Sequence, residues 1–272
     1  MQALVATDQI IRAAENIFQD YEVTKLKVYQ ARPGNPNQIE IAKFGDTLAT
    51  FSPVIPQFDR VYGFTEKDMA VLPQIVRFYE KTKTDFELTV SPLDASPEVS
   101  AALVGAGFVP GYYQARLFGG LPLQPISKRE GLQITVSRVG ADSIDEFLDL
   151  MLESWETPRV GWQPVKDNMR LRLQVPGMSL FWGNVDGERI GGCVLYVRGG
   201  VGYLAEAATT SAHRSKGCQR ALILARAAQA QSMGCRELYG SSRFGDTSFR
   251  NMQRVGLRLA SSEQTWHRRF SK

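Results

Sequence analysis

Cysteine and histidine are scarce in this chain of 272 residues, which has three Cys and two His. The cysteines, Cys193, Cys218 and Cys235, are odd in number and stand apart within strand-like or helix-like stretches. That pattern argues against a disulfide framework and against a zinc site. His213 and His267 are too few for a histidine-based metal centre. We therefore expect no metal, and a reducing compartment such as the cytoplasm.

Long apolar runs and blocks of basic residues are also missing. No stretch approaches the roughly 20 apolar residues of a membrane helix, and the first eight residues show no basic region followed by an apolar one. We expect a soluble, unexported protein without a membrane partner. The basic residues are dispersed among acids, with no zinc-finger or aromatic RNA-binding motif, so nucleic acid is not an expected partner.

The charge is distributed unevenly along the chain. Residues 1–125 carry 11 Lys and Arg against 14 Asp and Glu, a balance of −3, whereas residues 126–272 carry 21 against 14, a balance of +7. The second half is therefore the half that we expect to bind an anion.

The clearest sign of function lies in residues 214–219, which read Arg-Ser-Lys-Gly-Cys-Gln. They join a strand-like run, 201–210, to a helix-like run, 218–233. The first amides of a helix lack intrahelical partners and carry the positive end of its dipole, so an anion binds there readily. Gly217 permits a close backbone approach, and Arg214 and Lys216 favour a pyrophosphate. An ordinary basic, solvated loop fits the same pattern.

This stretch resembles the pyrophosphate loop of the GNAT superfamily, the acetyl-CoA-dependent N-acyltransferases, which reads Arg/Gln-x-x-Gly-x-Gly/Ala at the start of the central helix. Arg214 and Gly217 match that motif, and Gln219 stands at its third position. Residues 248–257 resemble the superfamily's last helix, with Ser248 eight residues before Gly256. Residues 237–242 lie where the fifth strand is expected, so the order agrees over residues 132–270.

The resemblance implies acetyl-CoA as co-substrate. It implies that the fourth strand separates from the fifth at its end, pairs there with the pantetheine arm, and polarises the thioester carbonyl through a backbone amide near Thr209. The implied cofactor-binding residues are Ala208, Thr209, Arg214, Ser215, Lys216, Gly217, Cys218, Gln219 and Asn251. Several of these residues also have a simpler explanation that involves no cofactor. The small residues of the strand would only pack, Asn251 would face solvent, and Cys218 would be a buried, inert side chain.

Residues 117–125 are dense in Gly and Pro, which indicates a connection, and we place a domain boundary there. The two predicted domains are residues 1–125 and 126–272. In the second, hydrophobic periodicity predicts strand 132–138, helices 143–155 and 164–175, strands 178–185, 189–197 and 201–210, helix 218–233, strand 237–242, a helix from 248 and strand 265–270. This is the order that the resemblance implies: an α/β class with a mixed, mostly antiparallel sheet flanked by helices.

The first half reads as a degenerate copy of the same unit. Residues 86–91 and 99–108 parallel residues 236–241 and 248–257, and Glu87 precedes Gly107 by 20 residues as Glu237 precedes Gly256 by 19. Two unrelated strand-helix units are the alternative. At the corresponding helix start the first half has Glu66 and Asp68, which satisfy the helix dipole and repel phosphate. We therefore expect two tandem GNAT-like domains, the first structural or regulatory.

Two residues on the fourth strand are the candidate catalytic groups. Glu206 is the one acidic residue between Glu188 and Glu237, and the resemblance places it beside the reacting amine, as a base acting directly or through water. An ion pair with an arginine on a neighbouring strand, such as Arg198, is the alternative. Tyr203 is the next candidate. Met252 stands where the superfamily often has a proton-donating Tyr, and a thioether donates no proton.

The resemblance implies an acyltransferase that moves an acetyl group from acetyl-CoA to an amine by direct attack. The alternative is a non-catalytic acyl-CoA-binding sensor. We expect the acceptor to be a small molecule or a peptide amine, chosen at a rim formed by residues 155–162 with Trp155 and Trp162. A homodimer is among the expected assemblies.

Overall fold

The computed structural model describes residues 5–125 and 132–270. The first half opens with a long amphipathic helix, α1, whose N-terminus is capped by the hydroxyl of Thr7. Its elements are α1 (Asp8–Gln30), β1 (Glu40–Phe44), β2 (Thr47–Phe51), β3 (Arg60–Phe64), α2 (Leu72–Glu80), β4 (Phe86–Val90), α3 (Pro97–Gly105) and β5 (Phe108–Gly120). A 3-10 helix, Glu66–Val71, leads into α2.

The second half follows the predicted order of strands and helices. Its elements are β6 (Thr135–Arg138), α4 (Ile144–Ser154), α5 (Trp162–Met169), β7 (Met178–Val185), β8 (Glu188–Arg198), β9 (Val201–Thr209), α6 (Cys218–Ser232), β10 (Glu237–Arg243), α7 (Thr247–Arg254) and β11 (Arg258–Arg268). A 3-10 helix, Arg170–Gln174, follows α5. The alternation expected of a mixed α/β fold is confirmed.

Two predictions about where strands begin and end are wrong. The last strand begins at Arg258 rather than near residue 265, because two irregularities in its pairing with β5 interrupt the alternation that marks a strand. Residues 117–120, predicted as a connection, are the end of β5. Gly119 is glycine there because a side chain would crowd the Leu123 methyl at 3.0 Å.

The eleven strands of the described residues form one sheet in the order β1-β2-β3-β4-β11-β5-β10-β9-β8-β7-β6. The pairs are antiparallel except β3 with β4 and β9 with β10. Each parallel pair is followed by a short helix and a long strand, so the two halves repeat one topology. The last strand of each half lies in the sheet of the other: β11 pairs with β4, and β5 pairs with β10.

The helices of the second half cover both faces of its strands. Side chains alternate along each strand, so that Tyr203 packs on one face with α1 and α4, and Leu204 packs on the other face with α6. The first half has its own apolar cluster, formed by α2, α3 and strands β2 to β4, which Trp266 of β11 completes. Helix α1 lies across β5, β10 and β9. It thus reaches from the first half onto the second.

Candidate functional site

Strands β9 and β10 separate in the middle of the sheet. Their parallel pairing runs from Val201 opposite Glu237 to Leu204 opposite Gly240. Beyond these residues β9 continues to Thr209 and β10 to Arg243 without pairing with each other. The separation of the fourth and fifth strands, which the sequence resemblance implied, is confirmed. Backbone groups of both strands therefore line a gap rather than each other.

A buried arginine stabilises the β9 side of this gap. The pairing of β8 with β9 is irregular between Cys193 and Leu195, which frees carbonyl oxygens of Val194 and Ala205. Nη1 of Arg226, on α6, donates to both of these oxygens at 3.0 and 2.9 Å. Only 2% of Arg226 is exposed, and burial lowers the pKa of its guanidinium. This side chain fixes the bulged strand from beneath.

A cavity of about 380 Å³ fills the gap, and its walls come from both faces of the sheet. On one face, Phe18 and Tyr21 of α1 and Trp155, the residue that follows α4, line it. On the other face, Gln219 of α6 and Met252 of α7 line it. Two molecules can therefore approach the same point of the sheet from opposite sides.

The loop of residues 214–217 leads from the end of β9 to the first turn of α6, and all four of its residues are exposed. Ser215 and Gly217 have positive φ angles, 65° and 97°, and Gly217 is the N-cap of α6. No side chain caps this helix. The amides of its first turn, from Cys218 onward, thus lack a side-chain acceptor. A side chain on Gly217 would meet no atom within 4 Å, so the space beside it is open.

The predicted cofactor residues divide into exposed and buried groups. Arg214 donates to the Ser154 carbonyl oxygen at 3.0 Å and lies 3.5 Å from Glu156, at the end of α4. The Cys218 thiol is buried against Gly183 and Gly191, and burial raises its pKa, so it is an inert filler and only its backbone faces the loop.

Three further residues join α6 to α7. The Gln219 amide donates to Ser248 Oγ at 2.8 Å, and Asn251 Nδ2 donates to Gln219 Oε1 at 2.5 Å. Asn251 therefore orients Gln219 at the cavity wall. The alternative, an Asn251 side chain that bonds only to solvent, is wrong. At the end of β9, Ala208 is buried and Thr209 is half-buried, and Lys216 is exposed in the loop.

Glu206 lies in the cavity wall and is held by an ion pair. Arg172, from the 3-10 helix after α5, makes a bidentate contact to its carboxylate, with Nη2 to Oε1 at 2.9 Å. Tyr21 donates to Oε1 at 2.8 Å, and Lys25 lies 3.6 Å from the same atom. Burial raises the pKa of Glu206, but the charges of Arg172 and Lys25 and these hydrogen bonds outweigh it and hold the pKa at about 2.

Arg198, named above as the alternative partner of Glu206, is not its partner. Arg198 pairs instead with Asp20 at 3.4 Å, and 57% of its side chain is exposed. The true partner, Arg172, precedes Glu206 by 34 residues and lies in a segment predicted only as part of a helix. The alternative predicted an ion pair between Glu206 and an arginine, which the structure has, but it named the wrong arginine.

Tyr203 lies one strand position before the point of separation. Its hydroxyl is 2.6 Å from Ser241 Oγ on β10, so the pair spans the bottom of the gap. Burial raises the pKa of the Tyr203 phenol to about 12. The phenol is therefore protonated at neutral pH and is a donor in this cavity.

The two tryptophans of the predicted rim lie in different places. Trp155 lines the cavity, and its indole nitrogen lies 3.5 Å from the Ala207 carbonyl oxygen. Trp162 packs against the apolar cluster beneath α4 and donates to Thr157 O at 2.9 Å. Sequence reasoning missed Phe18 and Tyr21, because α1 belongs to the other half of the chain.

Within residues 5–125 and 132–270, no group of three His, Cys, Asp or Glu is arranged to hold a metal ion. No helix in the described part of the chain has the length and apolar character needed to cross a membrane.

No protein-family model matches the sequence, and no curated protein matches it. Solved structures match the fold over nearly the whole chain. A GCN5-related N-acetyltransferase from Kribbella flavida is 15% identical with a TM-score of 0.64, covering 98% of this chain and 96% of its own. One from Sphaerobacter thermophilus is 12% identical with a TM-score of 0.63, covering 83% and 81%. A tandem GNAT protein of the clavulanic acid biosynthesis pathway is 12% identical with a TM-score of 0.60, covering 95% and 97%.

These similarities agree with the repeated topology and with the separated strands described above. The chain has the fold of the GCN5-related N-acetyltransferases in a tandem arrangement.

Proposed function

We propose that this protein transfers an acetyl group from acetyl-CoA to an amine, and that its second half holds the cofactor. The observation that carries the proposal is the gap between β9 and β10, which opens beside the uncapped start of α6. The exposed, glycine-containing loop and the amides of α6 suit a pyrophosphate, and the unpaired strand edges suit an extended amide chain. The named similar structures, acetyltransferases by their descriptions, support the same reaction.

The cavity gives each substrate its own entrance. The cofactor thiol ester reaches the gap from the α6 side, past Gln219 and Met252, and the amine reaches it from the α1 side, past Phe18 and Trp155. The amine nitrogen attacks the thioester carbonyl carbon and loses a proton to solvent, the carbon–sulfur bond breaks, and the thiolate leaves and takes up a proton. Backbone amides on the unpaired edge of β9, near Thr209, are placed to polarise the carbonyl.

Glu206 and Tyr203 have pKa values displaced in opposite directions, to about 2 and about 12. At neutral pH these values keep Glu206 ionised, so that it accepts hydrogen bonds, and Tyr203 protonated, so that it can donate one. Because a carboxylate this acidic is a weak base, we propose that Glu206 orients the amine, directly or through a water molecule, by accepting a hydrogen bond. The Tyr203 hydroxyl lies at the bottom of the gap, beside Ser241. We propose that Tyr203 donates a hydrogen bond to the reacting groups in the gap, and that the leaving thiolate takes its proton from solvent, because Met252 cannot supply one.

Calorimetric titration with acetyl-CoA is expected to give one site per chain. The first half has Glu66 and a buried Asp68 at the matching helix start, and Asp68 accepts from the Thr65 amide at 3.1 Å and from its hydroxyl at 2.8 Å. Those amides are satisfied and the charge repels phosphate. Two equivalent sites per chain would contradict this assignment. Binding without release of free thiol in the presence of an amine panel would identify a sensor rather than an enzyme.

The variant Glu206→Gln is expected to lower kcat by about 100-fold or more, with the Kd for acetyl-CoA unchanged, because it removes the ionised acceptor that orients the amine. Steady-state kinetics and calorimetry measure the two quantities separately. Glu153→Gln, an acid 72% exposed on α4, is the control and should behave as wild type. Because Arg172 loses its charged partner in Glu206→Gln, a thermal melt must show that the variant is folded. Near-normal turnover in a folded variant would contradict a role for Glu206 in orienting the amine.

A further inference from the structure

The first half contains a second and larger cavity, of about 620 Å³, between α1 and strands β3, β4, β5 and β11. Its place in the first half corresponds to that of the β9–β10 gap in the second, since β3 and β4 are also a parallel pair whose register shifts after Val61. Phe18 of α1 lines both cavities. The volume falls in the range of roughly 300–1,000 Å³ that small-molecule sites occupy.

The charge of this cavity is negative. Five acidic and three basic residues line it. Two of the basic residues are already paired: Arg12 lies 2.6 Å from Asp94 and 3.0 Å from Glu15, and Arg116 makes two bonds of 2.7 Å to Glu263. The Asp46 side chain is 95% exposed and lies 3.8 Å from Lys43, and Glu66 and Lys67 are exposed at the rim. Inside the cavity, three carboxylates, of Glu15, Asp94 and Glu263, therefore exceed two guanidinium groups by one. This balance favours a cation and opposes the phosphates of a nucleotide.

Arg116 carries a buried donor without a partner in the cavity wall. The Arg116 side chain is only 4% exposed, and its Nη1 atom is buried without a hydrogen-bond partner. Buried polar groups without partners are uncommon and call for an explanation. An uncharged oxygen acceptor satisfies this donor without adding negative charge to the cavity.

The remaining wall is rich in hydroxyl and amide groups and has an aromatic side. Five uncharged polar residues line it, namely Asn16, Gln19, Thr65, Thr89 and Ser91. The rings of Phe18 and Tyr62 lie 6.0 Å apart at one side, and Phe18 stacks over the Arg116 guanidinium at 3.8 Å. Aromatic faces beside many hydrogen-bonding groups suit a ring that carries several hydroxyls and C–H bonds.

We propose that the cavity of the first half is a binding site for a protonated amino sugar. Its ammonium group lies by the carboxylates of Glu15 and Asp94, one of its oxygens accepts from Arg116 Nη1, and its ring stacks on Phe18 or Tyr62. The site is separate from the acyl-transfer gap and does not depend on the function proposed for that gap.

Calorimetry with D-glucosamine as the probe tests this site, with D-glucose as the neutral control. Glucosamine is expected to bind with a Kd on the order of 1 mM, and glucose at least about tenfold more weakly, because glucose lacks the ammonium group. Glu15→Gln should weaken glucosamine binding about tenfold or more, whereas Glu80→Gln, an exposed acid on α2, should not change it. Absence of glucosamine binding, equal binding of glucose, or an unchanged affinity in folded Glu15→Gln would overturn the proposal.

The same titration on Gly217→Asp separates this inference from the proposed function. That variant changes only the loop before α6, so glucosamine binding should persist in it even when acetyl-CoA no longer binds. Loss of both ligands in a folded Gly217→Asp protein would contradict the independence of the two sites.

Discussion

Replacing Gly217 with aspartate is expected to weaken acetyl-CoA binding by about 100-fold or more, with little change in thermal stability. The side chain would place a negative charge at the N-terminus of α6, where the pyrophosphate is proposed to bind. Repulsion between the two anions and loss of the open space each cost on the order of 1.4 kcal/mol, which is tenfold in Kd. Calorimetry with acetyl-CoA measures the effect.

The matched control is Gly217→Asn. Gly217 has φ near +97°, and asparagine and aspartate are the residues that tolerate a left-handed conformation best after glycine. The two variants therefore share the backbone strain and the bulk and differ in charge. Asn should retain measurable affinity and Asp should not. Unchanged affinity in Gly217→Asp would remove the cofactor from this loop.

Replacing Arg172 with methionine is expected to give the largest loss of stability, about 3–5 kcal/mol, because it leaves a partly buried carboxylate without its main partner. The Arg172 guanidinium is 5% exposed and also donates to Tyr29 at 2.8 Å. Denaturant unfolding measures the loss. The double variant Arg172→Met, Glu206→Gln should recover part of it, since the uncompensated charge is gone.

Arg198→Met is the surface control for this experiment. Arg198 pairs with Asp20 on the exposed side of the same region, and its removal should cause little measurable loss. A comparable loss in Arg172→Met and Arg198→Met would show that the buried ion pair is not what stabilises this junction.

The same ion pair predicts acid sensitivity. The pKa of Glu206 is lowered from 4.5 to about 2 in the folded protein, so its contribution to stability is present above pH 4.5 and is lost as the pH falls towards 2. The contribution is on the order of 3 kcal/mol for a displacement of this size. Unfolding measured between pH 2 and 6 should show this dependence in the wild type and much less of it in Arg172→Met.

Local signals predicted the elements around the cofactor loop. The strand-like run 201–210, the glycine at 217 and the helix-like run 218–233 follow one another in the sequence, and the structure has a strand at Val201–Thr209 and a helix at Cys218–Ser232. One more residue was readable: Arg226 stands four residues after Leu222 and four before Ala230, on the buried face of α6. An arginine among apolar residues at helical spacing predicts a buried guanidinium that donates to backbone carbonyl oxygens, as Arg226 does.

Contacts between distant segments could not be read in the same way. The environment of Glu206 is set by Tyr21, 185 residues earlier, and by Arg172, 34 residues earlier. No period or motif links such positions, because tertiary packing alone brings them together. The exchange of β5 and β11 between the two halves is equally non-local. The hydrophobic pattern of each strand would be the same whichever half of the sheet it joined.

The exchange of β5 and β11 sets the order in which the polypeptide can fold during synthesis. Until residue 268 has left the ribosome, β4 has no neighbour on its inner side, and Phe86 and Leu88 belong to a core that lacks Trp266. An open strand edge beside apolar residues invites pairing with other nascent chains. We expect folding to end with a slow step in which β11 enters between β4 and β5, after every other strand has been made.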